Sequence, residues 1–154
     1  MSFRVLPIPS TITEEARRTG QAPGYGYPVH AGTTPSDGYG PCRSCLRRTK
    51  AGERRLLMTY NPYPEPGEVA VAGPVFIHEE TCRPFDGAGF PEELRELPIV
   101  LQGHLRDGTG LVNRQLGAES PEAAIDGLFQ DPRIGFITLR NAEFGCFIAR
   151  AERI

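Results

Sequence analysis

The chain has no long hydrophobic run. Of its 154 residues 39% are hydrophobic, but glycine, proline or arginine interrupts every apolar stretch well short of the ~18 consecutive residues typical of a membrane-spanning helix. The first residues also lack the apolar segment of a secretory signal, because prolines and glutamates appear early. Both absences predict a cytoplasmic location and no membrane partner.

Motifs of several enzyme classes are missing as well. The chain contains no G-x-S-x-G nucleophile elbow, no Walker-type phosphate loop and no glycine fingerprint for a dinucleotide. Its charges nearly balance, with 17 basic and 19 acidic residues, so the surface as a whole is not expected to bind a polyanion.

Glycine and proline, in contrast, are abundant. The chain has 18 glycines and 15 prolines, against average usage of about 7% and about 5%, so long helices should be scarce. Six of these glycines and four of the prolines fall in residues 20–41. We predict that this segment is a loop leading into the first cysteine pair, and a loop of that length is often functional. It carries one histidine and three tyrosines without an evident role: His30, Tyr25, Tyr27 and Tyr39.

Two helices are predicted from their end signals. The first covers about 12–19, where Thr11 and Glu14 match a capping box and Gly20 ends the helix. The second covers about 121–130, beginning at Ser120 and ending before a proline. Its apolar residues share one face: Ala124, Ile125, Leu128 and Phe129.

The other segments read as short strands. Residues 3–9 form a weakly alternating strand that its two prolines confine to a sheet edge. Connections between successive strands are too short for parallel crossovers, so we predict an α+β fold in one domain over 1–154. It should be loop-rich, with a mainly antiparallel mixed sheet and two or three short helices. Further strands are expected at 54–60, 73–78, 99–106, 110–117, 134–140 and 145–153, with one or two helical turns at 91–97.

The cysteines and histidines supply the clearest chemical signal. Cys42 and Cys45 have the C-x2-C spacing by which a tight turn presents two thiolates to one tetrahedral ion. His78 and Cys82 follow with H-x3-C spacing, and the predicted hairpin between the pairs would return the second pair to the first. We therefore predict a zinc-knuckle-like hairpin whose four ligands hold a structural Zn²⁺ ion. The binding free energy of that ion would contribute to folding.

Other interpretations of these side chains stay open. A C-x2-C pair also occurs in redox proteins, although no βαβ unit accompanies it here, and the thiols could pack without a shared ligand. Cys146 follows a glycine in a predicted core strand, so we expect a buried inert thiol. His104 should lie at the surface or be satisfied in the core.

Three functions fit these features. The first is a small binding or interaction module with a structural zinc, for an unknown protein or small-molecule partner. The second is a metal- or cysteine-dependent, hydrolase-like enzyme that uses His78 with Glu79 or Glu80 as base, or Cys146 as nucleophile. Four protein ligands would, however, leave the metal no open position.

Nucleic-acid binding is the third function, and its signal is weak. A basic hairpin beside a zinc knuckle can meet phosphates, but no aromatic side chain interleaves with the basic ones, so we do not expect nucleic acid as the partner. The basic residues concerned are Arg43, Arg47, Arg48, Lys50, Arg54 and Arg55.

Three segments of the chain resemble one family. They are Pro41-Cys42-Arg43-x-Cys45-Leu46, then Gly73-Pro74-Val75-Phe76-Ile77-His78 with Cys82, and Arg140-Asn141-Ala142 with Gly145-Cys146-Phe147. Together they are similar to the uncharacterised bacterial protein family catalogued as domain of unknown function 1203. The resemblance implies no activity. It implies that the knuckle, the second ligand pair and the C-terminal segment belong to one pattern, in a single domain of a bacterial cytoplasmic protein.

Overall fold

Strands dominate the structure, a computed structural model that describes residues 3–36, 40–62 and 72–154. Neither α-helix in these ranges is long and apolar enough to cross a membrane. In chain order the elements are β1 (Phe3–Leu6), α1 (Ser10–Thr19), β2 (His30–Thr33), β3 (Arg54–Tyr60), β4 (Gly73–His78), a short 3₁₀ helix (Glu92–Leu94), β5 (Ile99–Leu105), β6 (Leu111–Gln115), α2 (Pro121–Phe129), β7 (Ile134–Asn141) and β8 (Phe147–Arg153).

The larger sheet has five strands in the order β1-β8-β7-β5-β6, all antiparallel. β1 lies at its edge, as predicted, but it ends at Leu6, before the two prolines of the strand predicted at 3–9. Helix α2 lies against β7 and buries its apolar face in the sheet's core. The Ser120 hydroxyl caps this helix by accepting the Ala123 N–H at 3.2 Å, so the predicted start of α2 is confirmed.

The smaller sheet has three antiparallel strands in the order β2-β3-β4. In the β3–β4 pairing Arg55 lies opposite His78, which brings the end of β4 back beside the start of β3. Its core joins alternate residues of β3 and β4 to part of α1 and to two cysteines. The α+β class with antiparallel sheets is thus confirmed, with two α-helices in the described ranges.

The turn at residues 41–48 contacts both sheets. The Arg43 N–H donates to the Phe76 carbonyl of β4 at 3.0 Å. The Arg43 side chain reaches the other sheet, where its Nε donates to the carbonyl of Phe147 at the start of β8, at 2.8 Å. We call residues 41–48 the cysteine turn, because Cys42 and Cys45 lie in it.

The prediction that 20–41 is an uninterrupted loop is wrong at two places. An isolated antiparallel bridge joins Gln21 to Pro28, and residues 30–33 form β2. Gly24 and Gly26 adopt positive φ angles of 81° and 74°, which a tight turn needs and which glycine adopts readily. The composition therefore marks a turn followed by an edge strand. Residues 37–39, including Tyr39, lie outside the described residues.

Helix α1 begins differently from its prediction. It starts at Ser10 with Pro9 at the N-cap, and no side chain caps it, so the capping box of Thr11 and Glu14 does not form. The preceding Ile8 N–H donates to the Arg43 carbonyl at 3.0 Å, so a contact with the cysteine turn anchors the chain where the helix starts. Gly20 ends the helix as predicted, in a left-handed conformation.

The remaining bounds shift by short distances. The helical turns expected at 91–97 reduce to the 3₁₀ helix, and the strand expected at 145–153 starts two residues later, at the first residue of β8. The proline-rich connection predicted between β3 and β4 falls largely in residues 63–71, outside the described residues.

Candidate metal centre

The side chains of Cys42, Cys45, His78 and Cys82 meet at one point. Their ligand atoms all lie within 4.8 Å of one another, and they form the one such cluster of cysteine, histidine or carboxylate groups found among the described residues. Cys42 Sγ lies 3.7 Å from Cys82 Sγ, and Cys45 Sγ lies 3.5 Å from His78 Nδ1. A tetrahedral zinc site, with Zn–S of about 2.3 Å and Zn–N of about 2.0–2.1 Å, separates two sulfurs by about 3.8 Å and sulfur from nitrogen by about 3.6 Å. The cluster could therefore hold a metal ion.

The backbone of the cysteine turn presents both thiols to the same side. The Cys42 N–H donates to the Arg47 carbonyl at 2.9 Å, and the Leu46 N–H donates to the Cys42 carbonyl at 2.8 Å. Leu46 has a φ of 58°, the one positive value of a non-glycine residue in the described ranges. That conformation is costly for leucine, but its side chain is fully buried in the core of the larger sheet, which offsets the cost.

The second ligand pair is held by backbone and helix contacts. His78 ends β4, and its N–H donates to Cys42 Sγ at 3.3 Å. Arg17 of α1 donates through Nε to the His78 carbonyl at 3.0 Å and through Nη2 to Cys82 Sγ at 3.6 Å. N–H donors and a guanidinium both stabilise negative charge on sulfur, so each of these two contacts favours a thiolate, at Cys42 and at Cys82.

Glu53 orients the histidine of the cluster. Its Oε2 lies 3.4 Å from His78 Nε2, while its Oε1 accepts the Lys50 N–H at 2.6 Å. The Lys50 N–H and the imidazole together lower the pKa of Glu53. A carboxylate on one ring nitrogen leaves the other, Nδ1, available to a metal, as is common for metal-bound histidines. Sequence reasoning missed this role, although the β3–β4 pairing places the residues just before β3 near His78.

The protons of the cluster are unevenly shared. Hydrogen bonds to the Cys42 and Cys82 sulfurs raise the pKa of Cys45, whereas hydrogen bonds from the Cys42 and Cys45 thiols lower the pKa of Cys82. The Cys45 and Cys82 sulfurs raise the pKa of His78 to about 10. Within the cluster the thiolate form is thus favoured at Cys82 over Cys45, and the protonated form is favoured at His78. A divalent ion would have to displace these protons to bind.

The two glutamates proposed as bases, Glu79 and Glu80, differ in their contacts and in their access to the cluster. Glu79 accepts from Arg54 Nε at 2.9 Å, so it is held in an ion pair. Glu80 is exposed and, with His78 and Cys82, lines a cavity of about 580 Å³ beside the cluster. Of these two glutamates, Glu80 is therefore the one that lines the space where a substrate could approach the cluster.

The other two histidines lie away from the cluster. His30 is exposed on β2. His104 is buried in β5, with Nε2 3.0 Å from Thr138 Oγ1 and its ring stacked on Phe136 at 4.2 Å. Burial, with the positive charges of Arg140 and Arg150, lowers the pKa of His104 to about 4. It is a satisfied core histidine, one of its two predicted settings.

The prediction that Cys146 is buried in a core strand is wrong. It lies in the turn before β8, is half-buried, and lines two cavities. The turn is closed by the Gly145 N–H donating to the Asn141 carbonyl and the Asn141 N–H donating to the Cys146 carbonyl. This delays the strand until Phe147, which takes the buried position expected of the cysteine.

The arginine-rich segment does not form a continuous exposed face. Arg43 is buried, Arg54 is paired with Glu79, and the Arg55 guanidinium lies 3.7 Å from the centre of the Phe76 ring. Three of the six basic residues therefore make contacts within the chain, whereas Arg47 and Lys50 are exposed.

The geometry thus defines an α+β protein with a Cys3His cluster that could bind a metal. The family model described as protein of unknown function (DUF1203) matches residues 39–153, and the chain belongs to this family. The match contains all four residues of the cluster and Cys146, in agreement with the resemblance drawn from the sequence. No curated protein and no solved structure matches the chain.

Proposed function

We propose that this chain is a small binding module in which Cys42, Cys45, His78 and Cys82 hold a structural zinc ion. One observation carries the proposal: three thiols and an imidazole nitrogen lie within 4.8 Å of one another. Thiolate and imidazole donors favour zinc over the oxygen-binding cations magnesium and calcium. Four protein donors complete a tetrahedron, which is typical of a structural and not a catalytic ion.

The position of the cluster supports a structural role. It ties the cysteine turn to the end of β4, while Arg43 in the same turn binds β8. An ion there would fix the contact between the two sheets. The cysteines are free thiols, which suits a reducing compartment such as the cytoplasm.

Exposed aromatic side chains support the binding role. Tyr25 and Tyr27 stack with ring centroids 5.8 Å apart at the surface, and Phe144 is 76% exposed. Large aromatic residues in water are common at recognition surfaces. The partner would be a protein or a small molecule.

Metal analysis of protein purified without added zinc tests the proposal. We expect about one zinc per chain, and less than about 0.2 per chain with fully reduced thiols would contradict it. Cys45→Ser should lose the metal. The matched variant Cys146→Ser changes the same functional group outside the cluster and should keep it.

A hydrolase-like enzyme is the second candidate, favoured by the cavity that Glu80 shares with His78 and Cys82. It requires one of the four ligands to give way to a water molecule. Zinc X-ray absorption decides between the two. A shell of three sulfurs and one nitrogen supports the structural ion, whereas an oxygen in the shell supports the enzyme.

A further inference from the structure

We propose that a second cavity, between the cysteine turn and the β7–β8 turn, binds a small organic carboxylate with an apolar body. None of the four cluster residues lines this cavity. The inference goes beyond the zinc site, and it rests on the proposed function only in that the same turn must be folded.

The size and walls of the cavity fit a small organic molecule. Its volume is about 540 Å³, within the range of about 300–1,000 Å³ typical of ligand sites. Leu57, Pro74, Phe76 and Phe144 form an apolar wall. Phe144 is largely exposed to water, and a ligand in the cavity would cover part of its ring. Apolar walls of this kind favour an organic body over a fully hydrated inorganic ion.

A buried positive charge lies in the wall. Arg43 is 5% exposed and lines the cavity. Its Nε and Nη1 each donate to a backbone carbonyl, those of Phe147 and Pro41, both at 2.8 Å. Among the residues that the structure describes, no acceptor lies within hydrogen-bond distance of its Nη2, and no carboxylate pairs with its guanidinium. Because an uncompensated buried charge is costly, the site favours an anion.

A buried amide donor lies in the same wall. Asn141 is 9% exposed, and its Oδ1 accepts the N–H groups of Glu143 and Phe144 at 2.8 and 2.9 Å. With Oδ1 occupied in this way, the Nδ2 amide has no acceptor within the described ranges and lines the cavity as a donor.

Charge and donor count together select the ligand. One guanidinium and one amide offer N–H groups to oxygen acceptors, and no acidic residue lines the cavity. A single positive charge balances a monoanion, and a carboxylate supplies oxygens that can accept from both groups. A phosphate dianion would leave one charge unbalanced against apolar walls. The chemistry therefore points to a monocarboxylate.

Calorimetric titration of the full chain with phenylacetate tests the proposal, because its ring matches the aromatic wall. Phenylacetamide, phenethylamine and inorganic phosphate serve as comparisons of charge and shape. We expect phenylacetate to bind at least about tenfold more tightly than each of the three. It should also slow the reaction of Cys146 with a thiol reagent, measured against Cys146→Ser as background. The proposal is overturned if phenylacetamide binds as tightly as phenylacetate or if phosphate binds more tightly. It is also overturned if phenylacetate does not bind at about 10 mM.

The variant Asn141→Asp sharpens the test. It keeps an oxygen for the Glu143 and Phe144 N–H groups but replaces the donor by a negatively charged acceptor, so phenylacetate affinity should fall at least about tenfold. Asn113→Asp makes the same change at an exposed position of β6 and should leave affinity unchanged. Equal affinities of the two variants would count against the site.

Zinc measured in the same samples separates the two proposals. Zinc-loaded protein that fails to bind phenylacetate overturns the carboxylate site and leaves the zinc proposal intact. Folded protein that binds phenylacetate but contains no zinc overturns the zinc proposal and supports the carboxylate site. Phe144→Ala removes an exposed ring that lies outside both sheets. It should weaken phenylacetate binding without changing the zinc content. Unchanged binding would contradict the role of Phe144 in the apolar wall.

Discussion

The two sheets differ in what holds them together. In the described residues the core of the larger sheet has 18 buried apolar residues, drawn from four of its strands, α2, the segment before β5 and Leu46 of the cysteine turn. The core of the smaller sheet has ten, of which two are the cysteines of the turn. Since hydrophobic stabilisation scales with buried apolar area, the larger sheet can rely on its core. A three-stranded sheet with so small a core needs a further cross-link.

Two turns beside the smaller sheet have a similar backbone, but only one of them contains cysteines. Three backbone hydrogen bonds of residues 20–29 recur twenty positions later in residues 40–49. One of them joins the Val29 N–H to the Gly20 carbonyl in the first turn and the Thr49 N–H to the Gly40 carbonyl in the second. Where the second turn has Cys42 and Cys45, the first has Ala22 and Tyr25. In the first turn the Ala22 N–H donates to the Tyr27 carbonyl and the Gly26 N–H donates to the Ala22 carbonyl. In the second turn the Cys42 N–H donates to the Arg47 carbonyl and the Leu46 N–H donates to the Cys42 carbonyl. This backbone forms without thiols, so the cysteines serve something other than the turn's shape.

Removing the metal should separate the two sheets most clearly. If a zinc ion holds the smaller one, a strong chelator should cost that region on the order of 5 kcal/mol or more, because isolated fingers gain about 10–16 kcal/mol from zinc. Hydrogen exchange should then quicken in β3 and β4 while β5 and β7 stay protected. Equal acceleration in both sheets would show that they form one cooperative unit, and no change would show that no ion holds the smaller sheet.

A cavity in the larger core should have the reverse effect. Leu101 is fully buried in β5, so Leu101→Ala should lower the free energy of unfolding by about 2–5 kcal/mol. Zinc content should not change. The control is Val112→Ala on β6, which is exposed and should cost no more than about 0.5 kcal/mol. Urea unfolding measures the free energy of unfolding of both variants. Loss of zinc in Leu101→Ala would show that the two sheets depend on each other for stability.

The contact between Glu53 and His78 should affect only the smaller sheet. Replacing a carboxylate that supports a metal-bound histidine typically costs 10- to 100-fold, or about 1.4–2.7 kcal/mol, in metal affinity. Glu53→Gln should show this loss in competition with a zinc-binding dye. Glu79→Gln alters a nearby glutamate that pairs with Arg54 instead and should bind zinc normally. Equal affinity of the two variants would remove Glu53 from the site.

The sequence was informative where chemistry is local or periodic. Spacing alone brought Cys42, Cys45, His78 and Cys82 together, because a hairpin returns its second strand to its first. The apolar face and Ser120 cap of α2 were read from neighbouring residues for the same reason.

What the sequence could not show depends on contacts between distant segments. Arg17 reaches the cluster from a helix 61 positions before His78, and no local pattern records that contact. β2 has no apolar alternation, since its pairing with β3 and not a buried face makes it a strand. Cys146 was misplaced because a turn closed by Asn141 shifts the strand start by two residues.

The smallest expected effect lies in the larger sheet, at His104. Its pKa in the folded protein is about 4, below the value of about 6.5 in an unfolded chain. As pH falls through this window the unfolded chain takes up the proton first, so folding stability falls with it. We expect a loss on the order of 1 kcal/mol as the pH falls from about 6.5 to about 4.

His104→Gln keeps a hydrogen-bonding group near Thr138 but does not titrate, so its stability should depend less on pH over this window. Release of zinc in acid would act equally on both proteins and cancel in the difference between their urea midpoints. His30→Gln, at an exposed position of β2, should behave like the unchanged chain. If His104→Gln keeps the full pH dependence, the acid sensitivity arises in other groups and His104 contributes none of it.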